Sequence, residues 1–451
     1  MKERNVQDSK PVNTETPEQS STGMTRRDLL KAGVAVSAAG LFANLGTNYA
    51  HAQGADRIRV GVIGVGGRGS GAAEDCANAH PSVQIVAIGD LFQDRIGGVR
   101  NGLGKKLGEQ WKVTDETTFS GFDNYKKVID SGIDLLVTAT PPGFRPMIFD
   151  YAVKAGKHVF MEKPVAVDPT GVRSIIASSD LATQKNLSVV VGTQRRHQDN
   201  YRETIKRIHD GAIGDVISGQ VYWNQGGLWN RARQAGWSDM EWQIRNWLYF
   251  TWLSGDHITE QHVHNLDVMN WVMNAHPVAA LGMGGRQVRT DPSYGHIYDH
   301  FTIEYEFANG AKWLSMCRQQ DGTASRVSES AQGTKGRANP GGSISGENQW
   351  RQQGGKNNGY KEEHVHLIAS IRDGKPINEG RQIAESTLTA IMGRESAYTG
   401  QHLKWDDVMN SKQDLMPKTW EFGELATPPV AVPGKTKLER TSWPAPEADK
   451  A

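Results

Sequence analysis

Two residues that can support chemistry, Glu162 and Lys163, follow directly after the apolar run His158–Met161 and precede Pro164. The run is typical of a buried strand. The carboxyl end of a strand in an open parallel sheet faces the crevice where ligands bind. A lysine in such a crevice can take a proton from a substrate hydroxyl, so Lys163 is the first catalytic candidate. The alternative is an ordinary solvated surface lysine.

A glycine-rich loop is the second candidate site. It follows the predicted strand 58–63 and opens a predicted helix, which is the context of the dinucleotide-binding motif G-x-G-x-x-G. The first glycine permits a tight turn, the second lets the backbone approach a pyrophosphate, and the third lets helix and strand pack closely. The loop residues predicted to hold the nucleotide are Gly64, Gly66, Gly67, Arg68 and Gly69. Without this context, a glycine triplet is equally consistent with a simple loop.

An aspartate completes the predicted nucleotide site. Asp90 ends the second predicted strand, roughly 20 residues after the glycines, where a ribose-binding acid is expected. A carboxylate there accepts bonds from both ribose hydroxyls and repels a 2′-phosphate, which favours NAD over NADP. A nicotinamide takes hydride from an alcohol carbon while a base takes the hydroxyl proton, and Lys163 is the predicted base.

A second group of titratable residues lies in the middle of the chain. On one helix, His257, Glu260, His264 and Asp267 are spaced to share a face. Three histidines and two carboxylates in this stretch also suggest a metal site. Because His262 lies off the shared face, we predict no metal there. The other alternative is a helix face whose polar groups are satisfied by their neighbours.

Tryptophans crowd the segment that precedes this group. They are Trp223, Trp229, Trp237, Trp242, Trp247 and Trp252. Sugars stack their apolar faces on such rings, and Asn224, Arg231 and Arg233 can hydrogen-bond hydroxyls or an acid group. We expect Trp223 and Asn224 to contact a substrate. The alternative is that most of these rings lie in the core or in an interface.

The elements that must position these residues alternate between strand and helix. Short apolar runs occur at 58–63, 83–88, 133–139, 158–161 and 187–191, with helical stretches such as 145–154 between them. This alternation predicts a doubly wound parallel sheet, a Rossmann domain, at residues 53–193. Strand-like alternation at 215–223 and 301–316, with a turn at Asn309-Gly310, predicts a second α/β domain at 194–405 with an open, mainly antiparallel sheet.

Two stretches of the second half are predicted to be irregular. Residues 321–358 are rich in glycine, serine and glutamine and are predicted to form a long surface loop. Helical spacing returns at 362–372 and 383–398. Residues 406–451 are predicted to be a C-terminal tail, extended from Thr427 onward where prolines accumulate.

The overall charge points to small-molecule partners. The 451 residues carry 51 basic and 50 acidic side chains, a formal net charge of +1. No summed field therefore favours nucleic acid or an anionic membrane. The two cysteines, Cys76 and Cys317, lie far apart in sequence and do not suggest a disulfide framework.

The first 52 residues resemble an export signal. Residues 1–24 are polar and are predicted to be disordered. Arg26 and Arg27 precede the apolar run Ala32–Leu45, and Ala50-His51-Ala52 follows as a cleavage pattern. The run is shorter than the roughly 20 residues of a membrane span. We therefore predict a twin-arginine signal peptide, export of the folded protein to the periplasm or outside the cytoplasm, and no membrane span.

The glycine loop and the segment Met161–Ala166 together resemble the Gfo/Idh/MocA oxidoreductase family, which includes glucose-fructose oxidoreductase and inositol dehydrogenases. The likeness runs from about Arg57 to about Trp405. Further contacts implied by the resemblance are Thr140, Pro141, Glu162, Lys163 and Gln194 to the nucleotide and Arg195 and His264 to the substrate.

The family also spaces an aspartate and a histidine as D-x-x-x-H. Aligned on His264, the aspartate of the family becomes Glu260, which keeps the charge but adds a methylene. The resemblance implies that His264 orients the substrate hydroxyl or shares its proton, and that Glu260 fixes or charge-balances this histidine. Arg145 stands where many relatives carry a histidine, and no role is assigned to it.

These residues predict an NAD-dependent oxidoreductase that acts on a secondary hydroxyl of a sugar, glycoside or cyclic polyol. Because export separates the protein from the cytoplasmic nucleotide pool, we expect the nucleotide to be tightly retained. Two alternatives stay open: an NAD-dependent glycoside hydrolase or lyase that oxidises the sugar transiently, and a non-catalytic binding protein. The exposed sheet face of the family implies a homo-oligomer, a dimer or a tetramer.

Overall fold

The computed structural model describes residues 57–440. The predicted signal peptide and residues 441–451 of the predicted tail lie outside the described residues. No helix within the described range has the length and apolar character that a membrane crossing requires.

Six parallel strands form the first sheet, in the order β3-β2-β1-β4-β5-β6. The strands are β1 (Ile58–Ile63), β2 (Val83–Asp90), β3 (Thr118–Ser120), β4 (Leu135–Thr138), β5 (His158–Met161) and β6 (Val189–Val191). The helices between them are α1 (Gly67–Ala79), α2 (Gln93–Leu107), α3 (Asn124–Asp130), α4 (Arg145–Lys154) and α5 (Pro169–Gln184). The apolar side chains of the strands are buried on both faces of the sheet, as a parallel sheet covered by helices requires. The predicted Rossmann domain is confirmed.

The register of three neighbouring strands brings the candidate residues to one edge of this sheet. Ile63, Thr138 and Met161 are the last residues of β1, β4 and β5, and they pair side by side. The glycine loop, the Thr140 turn and Lys163 each follow directly after one of these strands. The carboxyl ends of β1, β4 and β5 therefore present all three segments to the same crevice.

The second sheet has nine strands in the order β14-β13-β12-β11-β7-β10-β9-β8-β15. The strands are β7 (Val216–Gln225), β8 (Ala279–Gly285), β9 (His300–Glu306), β10 (Lys312–Gln319), β11 (Arg326–Gly333), β12 (Gly336–Asn339), β13 (Ser343–Gly346), β14 (Trp350–Arg351) and β15 (Leu403–Lys404). The pair β7 and β10 is parallel and the other pairs are antiparallel. This confirms the prediction of a second, mainly antiparallel sheet.

Helices cover one face of the second sheet. The helices of this half are α6 (Asp199–His209), α7 (Asp239–Arg245), α8 (Thr251–Ser254), α9 (His257–Glu260), α10 (Val263–Met273), α11 (Gly359–Arg372), α12 (Gly380–Thr399) and α13 (Trp405–Met409). α10 and α12 pack on the sheet, and α12 also packs against α5 of the Rossmann domain. Large apolar side chains on the strands remain exposed, namely Ile217, Leu281, Met283 and Val327.

The predicted loop at 321–358 is wrong, because four strands, β11 to β14, lie within it. β11 pairs with β7 over eight residues, and its inward positions are Glu329, Ala331 and Gly333. The residues between them are partly buried, and because the buried positions are small or polar the strand has no hydrophobic period. Backbone hydrogen bonds to β7 stabilise β11. The sequence of β11 has no apolar pattern from which a strand could be predicted.

The predicted tail boundary is also wrong, since residue 406 lies inside α13 and the chain beyond it packs into the molecule. We call residues 415–425 the strap. The Leu415 amide donates to the carboxylate of Asp168 at 2.8 Å, and Gln243 donates to the Leu425 carbonyl at 2.6 Å. Leu415 and Leu425 are buried. The strap has no helical or strand period, so its packing depends on tertiary contacts that sequence periodicity does not reveal.

Acid should destabilise this fold through its buried histidines. Burial lowers the pKa of His262, His296 and His364 to about 3 each, whereas an unfolded chain has histidines near pKa 6.5. The unfolded state therefore takes up protons below that pKa while the native state does not, so stability present at neutral pH is lost as pH falls. Each of these histidines should lower the free energy of unfolding by about 2 kcal/mol at about pH 5, relative to neutral pH. We expect the Tm to fall between about pH 7 and about pH 5, and to fall less steeply in the His296→Gln variant. Equal falls in Tm for the variant and the unchanged protein would contradict this.

Candidate active site

A cavity of about 640 Å³ lies where the carboxyl edge of the first sheet meets the second domain. The predicted site residues that line it are Gly64, Gly66, Gly67, Arg68, Gly69, Asp90, Thr140, Pro141, Glu162, Lys163, Trp223, Glu260 and His264. The glycine loop and the catalytic candidates therefore share one cavity, although they come from separate parts of the chain.

The glycine loop is shaped by two positions where a side chain does not fit. Gly64 has a φ of +80°, and a Cβ there would lie 2.8 Å from the backbone nitrogen of Thr140. A Cβ on Gly69 would overlap the carbonyl oxygen of Gly64, so only glycine lets α1 start against β1. At Gly67 no heavy atom would lie within 4 Å of a Cβ. This leaves room at the N-terminus of α1 for a pyrophosphate.

Asp90 is buried at the end of β2 and lines the cavity. Its two carboxylate oxygens accept hydrogen bonds from the backbone amides of Val65 and Phe92, both at 3.0 Å. Burial raises the pKa of this carboxyl. The side chain thus fixes the loop after β1 and keeps acceptor lone pairs at the place predicted for a ribose.

Lys163 and Glu260 are in direct contact. The Lys163 ammonium donates to the backbone carbonyl of Glu260 at 2.6 Å and to its carboxylate at 3.1 Å. Each side chain is 12% exposed. The sequence associated Glu260 with His264, whereas the structure pairs it with the lysine. Glu260 is therefore positioned to balance the charge of Lys163 rather than that of the histidine.

His264 lies beside this pair and is neutral. Its ring stacks on Trp223, with centroids 5.7 Å apart. Burial, together with the positive charges of Lys163 and Arg195, holds the pKa of His264 well below the usual range. A neutral imidazole can donate one hydrogen bond and accept another, so His264 can orient a hydroxyl without adding charge to the cavity.

The predicted helix through this region is interrupted, which separates its four polar residues. α9 ends at Glu260, and α10 begins at Val263. His257 packs away from the cavity and bonds to Asp256 at 2.8 Å, while Asp267 forms a bidentate pair with Arg196. The prediction of a common face is therefore wrong, because buried partners outside the helix hold its two ends. Within residues 57–440, no group of three or more His, Cys, Asp or Glu side chains is arranged to hold a metal ion.

Arg68 connects the glycine loop to two buried carboxylates. It bonds to Glu162 at 2.5 Å and to Glu363 of α11 at 3.1 Å. Glu363 is fully buried, and burial next to Glu162 raises its pKa well above the usual value. The Arg68 guanidinium also lies over the ring of Tyr360, 4.8 Å from its centroid. This network holds the loop, β5 and α11 together at the nucleotide edge of the cavity.

Arg145, which had no predicted role, connects the Thr140 turn to the segment that carries Lys163. Its buried guanidinium donates to the carbonyl oxygens of Thr140, at 2.6 Å, and Pro164. Burial lowers the pKa of Arg145 to about 10. Because it ties both segments at the carboxyl edge of the sheet, Arg145 acts as a positioning residue.

Three predicted contact residues do not line the cavity. Gln194 bonds to Tyr360 at 3.2 Å, Arg195 pairs with Glu329 and lies 5.7 Å from the ring of Trp223, and Asn224 lies on β7. Arg195 therefore contacts Trp223 rather than the cavity. The sequence did not indicate this, because the partner of Arg195, Glu329, lies on β11, a strand that was not predicted.

The six tryptophans of the segment lie in different surroundings, and Trp237 and Trp242 are half-buried outside the cavity. Trp223, Trp229 and Trp247 line the cavity, whereas Trp252 is fully buried in the core. The sequence did not predict Trp420 of the strap or Arg95 of α2, which also line it. Two closely spaced aromatics within the predicted tail, Trp420 and Phe422, were a signal that could have indicated the strap.

Two family models match this chain. The model described as "Oxidoreductase family, NAD-binding Rossmann fold" matches residues 58–193, and the model described as "GFO/IDH/MocA C-terminal domain" matches residues 201–339. Together they cover more than half of the chain. The protein belongs to the Gfo/Idh/MocA oxidoreductase family, and its first domain is an NAD-binding Rossmann domain.

Among characterised proteins, the chain is 26% identical to inositol 2-dehydrogenase from Azotobacter vinelandii over 256 residues, which are 56% of this chain and 65% of that protein. It is 28% identical to glycosyl hydrolase family 109 protein 1 from Bacteroides fragilis over 232 residues, 50% of this chain and 48% of that protein. The matches thus span less than two thirds of these relatives. An oxidoreductase structure from Thermotoga maritima has a TM-score of 0.62 at 18% identity, covering 78% of this chain and 99% of that one, which shows the shared fold.

The residues present fit NAD. The open space at Gly67, the N-terminus of α1 and the Asp90 carboxylate would hold the pyrophosphate and a ribose of the nucleotide. Thr140, Pro141 and Glu162 continue the same wall toward Lys163. The reactive end of a nucleotide laid along this wall would point to the Lys163–Glu260 pair.

Proposed function

We propose that the protein is an NAD-dependent oxidoreductase that acts on a secondary hydroxyl of a sugar, glycoside or cyclic polyol. The observation that carries the proposal is the convergence of Lys163, Glu260 and His264 in the cavity that the glycine loop also lines. The match to an inositol 2-dehydrogenase supports a polyol or sugar as the substrate class.

NAD, when bound, supplies the acceptor for the hydride that leaves the carbinol carbon. Lys163, in its unprotonated form, accepts the hydroxyl proton at Nζ, and the carbinol becomes a ketone. The Glu260 carboxylate at 3.1 Å then stabilises the resulting ammonium. His264 hydrogen-bonds the reacting hydroxyl and holds it toward Lys163, and its neutral state avoids a second positive charge beside the ammonium.

Three tryptophans of the cavity wall suit a carbohydrate ring. Trp223, Trp229 and Trp247 present aromatic faces, and Trp229 is 43% exposed. The axial and equatorial C–H groups of a sugar form apolar patches that stack on such faces. A panel of cyclic polyols and sugars, assayed for reduction of bound or added NAD, tests the proposal; NADH formation with at least one of them is expected.

We also propose that the nucleotide is tightly retained, and that the strap contributes to its retention. Trp420 lies against Phe144, with ring centroids 5.4 Å apart. Phe422 stacks on Phe92 at 5.9 Å and packs on Phe122 at 5.0 Å. Phe92, Phe122 and Phe144 all line the cavity. The strap aromatics therefore stabilise the part of the cavity wall that these three rings form, and through it a bound nucleotide.

Removal of the strap aromatics should release the nucleotide faster. In Trp420→Ala combined with Phe422→Ala, the loss of the aromatic pairs should raise the dissociation rate roughly 10-fold. The rate is measured by dialysis of nucleotide-loaded protein, followed by denaturation and quantification of what remains bound. Val432→Ala, an exposed position beyond the strap, is the control. Equal rates in the double variant and the control would show that the strap does not retain the nucleotide.

The second candidate function is NAD-dependent glycoside cleavage, in which transient oxidation acidifies a neighbouring C–H bond. The resemblance to a glycosyl hydrolase family 109 protein favours it, whereas Lys163 favours net oxidoreduction. Release of free sugar from a glycoside without net NADH formation would support cleavage. A third possibility, a binding protein, requires that Lys163→Ala change no activity on any bound substrate.

We further propose export by the twin-arginine route and assembly into a dimer or tetramer. The Arg26-Arg27 pair before an apolar run supports export, and the exposed apolar residues of the second sheet support self-association. Lysine substitution of both arginines should keep the protein in the cytoplasm, as measured by cell fractionation. A monomer by light scattering would contradict the oligomer.

A further inference from the structure

Two arginines that line the cavity have neither a hydrogen-bond nor an ion-pair partner for their guanidinium groups among the described residues. Arg95 is in the first turn of α2, and Arg231 lies between β7 and α7. Both line the cavity. Neither guanidinium forms an ion pair or donates a hydrogen bond among residues 57–440, whereas nearby Arg245 is paired with Asp94 and Glu241.

The position of Arg95 relates it to the glycine loop. Its Nη1 atom lies 3.2 Å from where a Cβ of Gly66 would be. Gly66 is the glycine at which the motif expects a phosphate to approach the backbone. The guanidinium also lies 6.0 Å from the centroid of the ring of Phe92, two residues after Asp90. Arg95 is therefore within reach of an anion that rests on the loop.

Arg231 approaches the same space from the second domain. Its guanidinium lies over the ring of Trp229, 5.3 Å from the centroid. Burial and then the positive charge of Arg95 lower the pKa of Arg231, which agrees with two guanidinium groups that share one region. Nearby carboxylates are otherwise engaged: Asp90 accepts two backbone amides, and Asp94 pairs with Arg245.

We propose that Arg95 and Arg231 form a clamp that binds a phosphate group of the dinucleotide from two sides. Two guanidinium groups that line one cavity without an ion-pair partner attract an anion between them. The anion is either the pyrophosphate, which NAD and NADP share, or the 2′-phosphate of NADP. In the second case the protein would bind NADP as well as NAD, although Asp90 lies nearby. This inference rests on the proposed nucleotide-dependent function, and it adds a binding role for two residues outside the glycine motif.

The test compares Arg95→Gln and Arg231→Gln with the unchanged full chain. Each protein is exchanged to equilibrium with NAD or NADP, and dissociation constants are obtained from the bound nucleotide at several ionic strengths. Arg100→Gln is the matched control, because Arg100 is on the same helix but is paired with Asp115. Arg95 and Arg231 make no structural ion pair, so the variants should fold, which unchanged circular dichroism would show.

Loss of one charge-assisted contact should weaken binding about 10- to 100-fold and reduce its salt dependence. An equal loss for NAD and NADP assigns the clamp to the pyrophosphate, and a loss for NADP alone assigns it to the 2′-phosphate. Affinities of both nucleotides within about 2-fold of the Arg100→Gln control would overturn the clamp. If the unchanged protein binds neither nucleotide, the proposed function fails first, and that outcome is distinct from an unaltered affinity in the variants.

Discussion

Lys163→Ala is expected to lower kcat/KM by roughly 10²- to 10⁴-fold, the contribution typical of a positioned general base. The lysine contacts Glu260 through both the carbonyl and the carboxylate, and no other described lysine lines the cavity. The effect should fall mainly on kcat, because proton transfer occurs in the reaction rather than in binding. Steady-state kinetics with any substrate found in the polyol panel measures it.

The matched control for this variant is Lys154→Ala. Lys154 is exposed on α4 and pairs with Asp150, outside the cavity, so its loss should leave kcat/KM within about 2-fold. The Lys163→Ala protein should still contain nucleotide, since the phosphates of the nucleotide are expected to contact the glycine loop and not Lys163. Full activity in Lys163→Ala would refute the assignment of the base, and equal loss in both variants would point to a general charge effect.

Gly69→Ala is expected to abolish nucleotide binding, with a loss in affinity of at least about 100-fold. A Cβ at this position would overlap the Gly64 carbonyl oxygen, so α1 must move away from β1 and carry its N-terminus off the phosphate position. Nucleotide content after purification and binding of added NAD both measure the effect.

Two neighbouring glycines make this prediction specific. In Gly71→Ala the nearest heavy atom to the new Cβ is the end of Arg68 at 3.8 Å, so binding should be retained. In Gly66→Ala the Cβ meets only the end of Arg95, at 3.2 Å, so the protein should fold although the methyl group intrudes on the phosphate. Normal NAD binding in Gly69→Ala would contradict the proposed loop geometry, as would its loss in Gly71→Ala.

The parts of the fold that local pattern determines were predictable from the sequence. The buried runs of β1, β2, β4 and β5 are apolar and short, and the glycine loop follows the first of them, so the Rossmann domain followed directly. The position of Lys163 followed as well, because it depends only on the end of β5 and on the parallel order of the sheet.

Other parts depend on tertiary contacts that leave no local pattern. β11 is stabilised by pairing with β7, although its own residues are polar or small. The interruption after Glu260 depends on buried partners such as Ser315, which bonds to His262 at 2.8 Å. For the same reason, the contact of Glu260 with Lys163 rather than with His264 could not be derived from helical spacing.

The strap is the clearest example of site residues that the sequence did not reveal. Residues 415–425 have no secondary-structure period, yet their ends are held by Asp168 and Gln243. Their aromatic side chains contact three phenylalanines that lie far away in sequence. Such contacts depend on long-range packing, so the sequence indicated only an extended tail.

The most direct test of the central claim is the nucleotide content of the purified, folded protein. The protein is denatured, and the released material is identified and quantified by mass and absorbance, before and after incubation with NAD. The cavity formed by the glycine loop, Asp90 and Lys163 predicts about one NAD or NADH per chain. If no nucleotide is released, and none is taken up when NAD is added, the assignment of this cavity as a nucleotide site is contradicted.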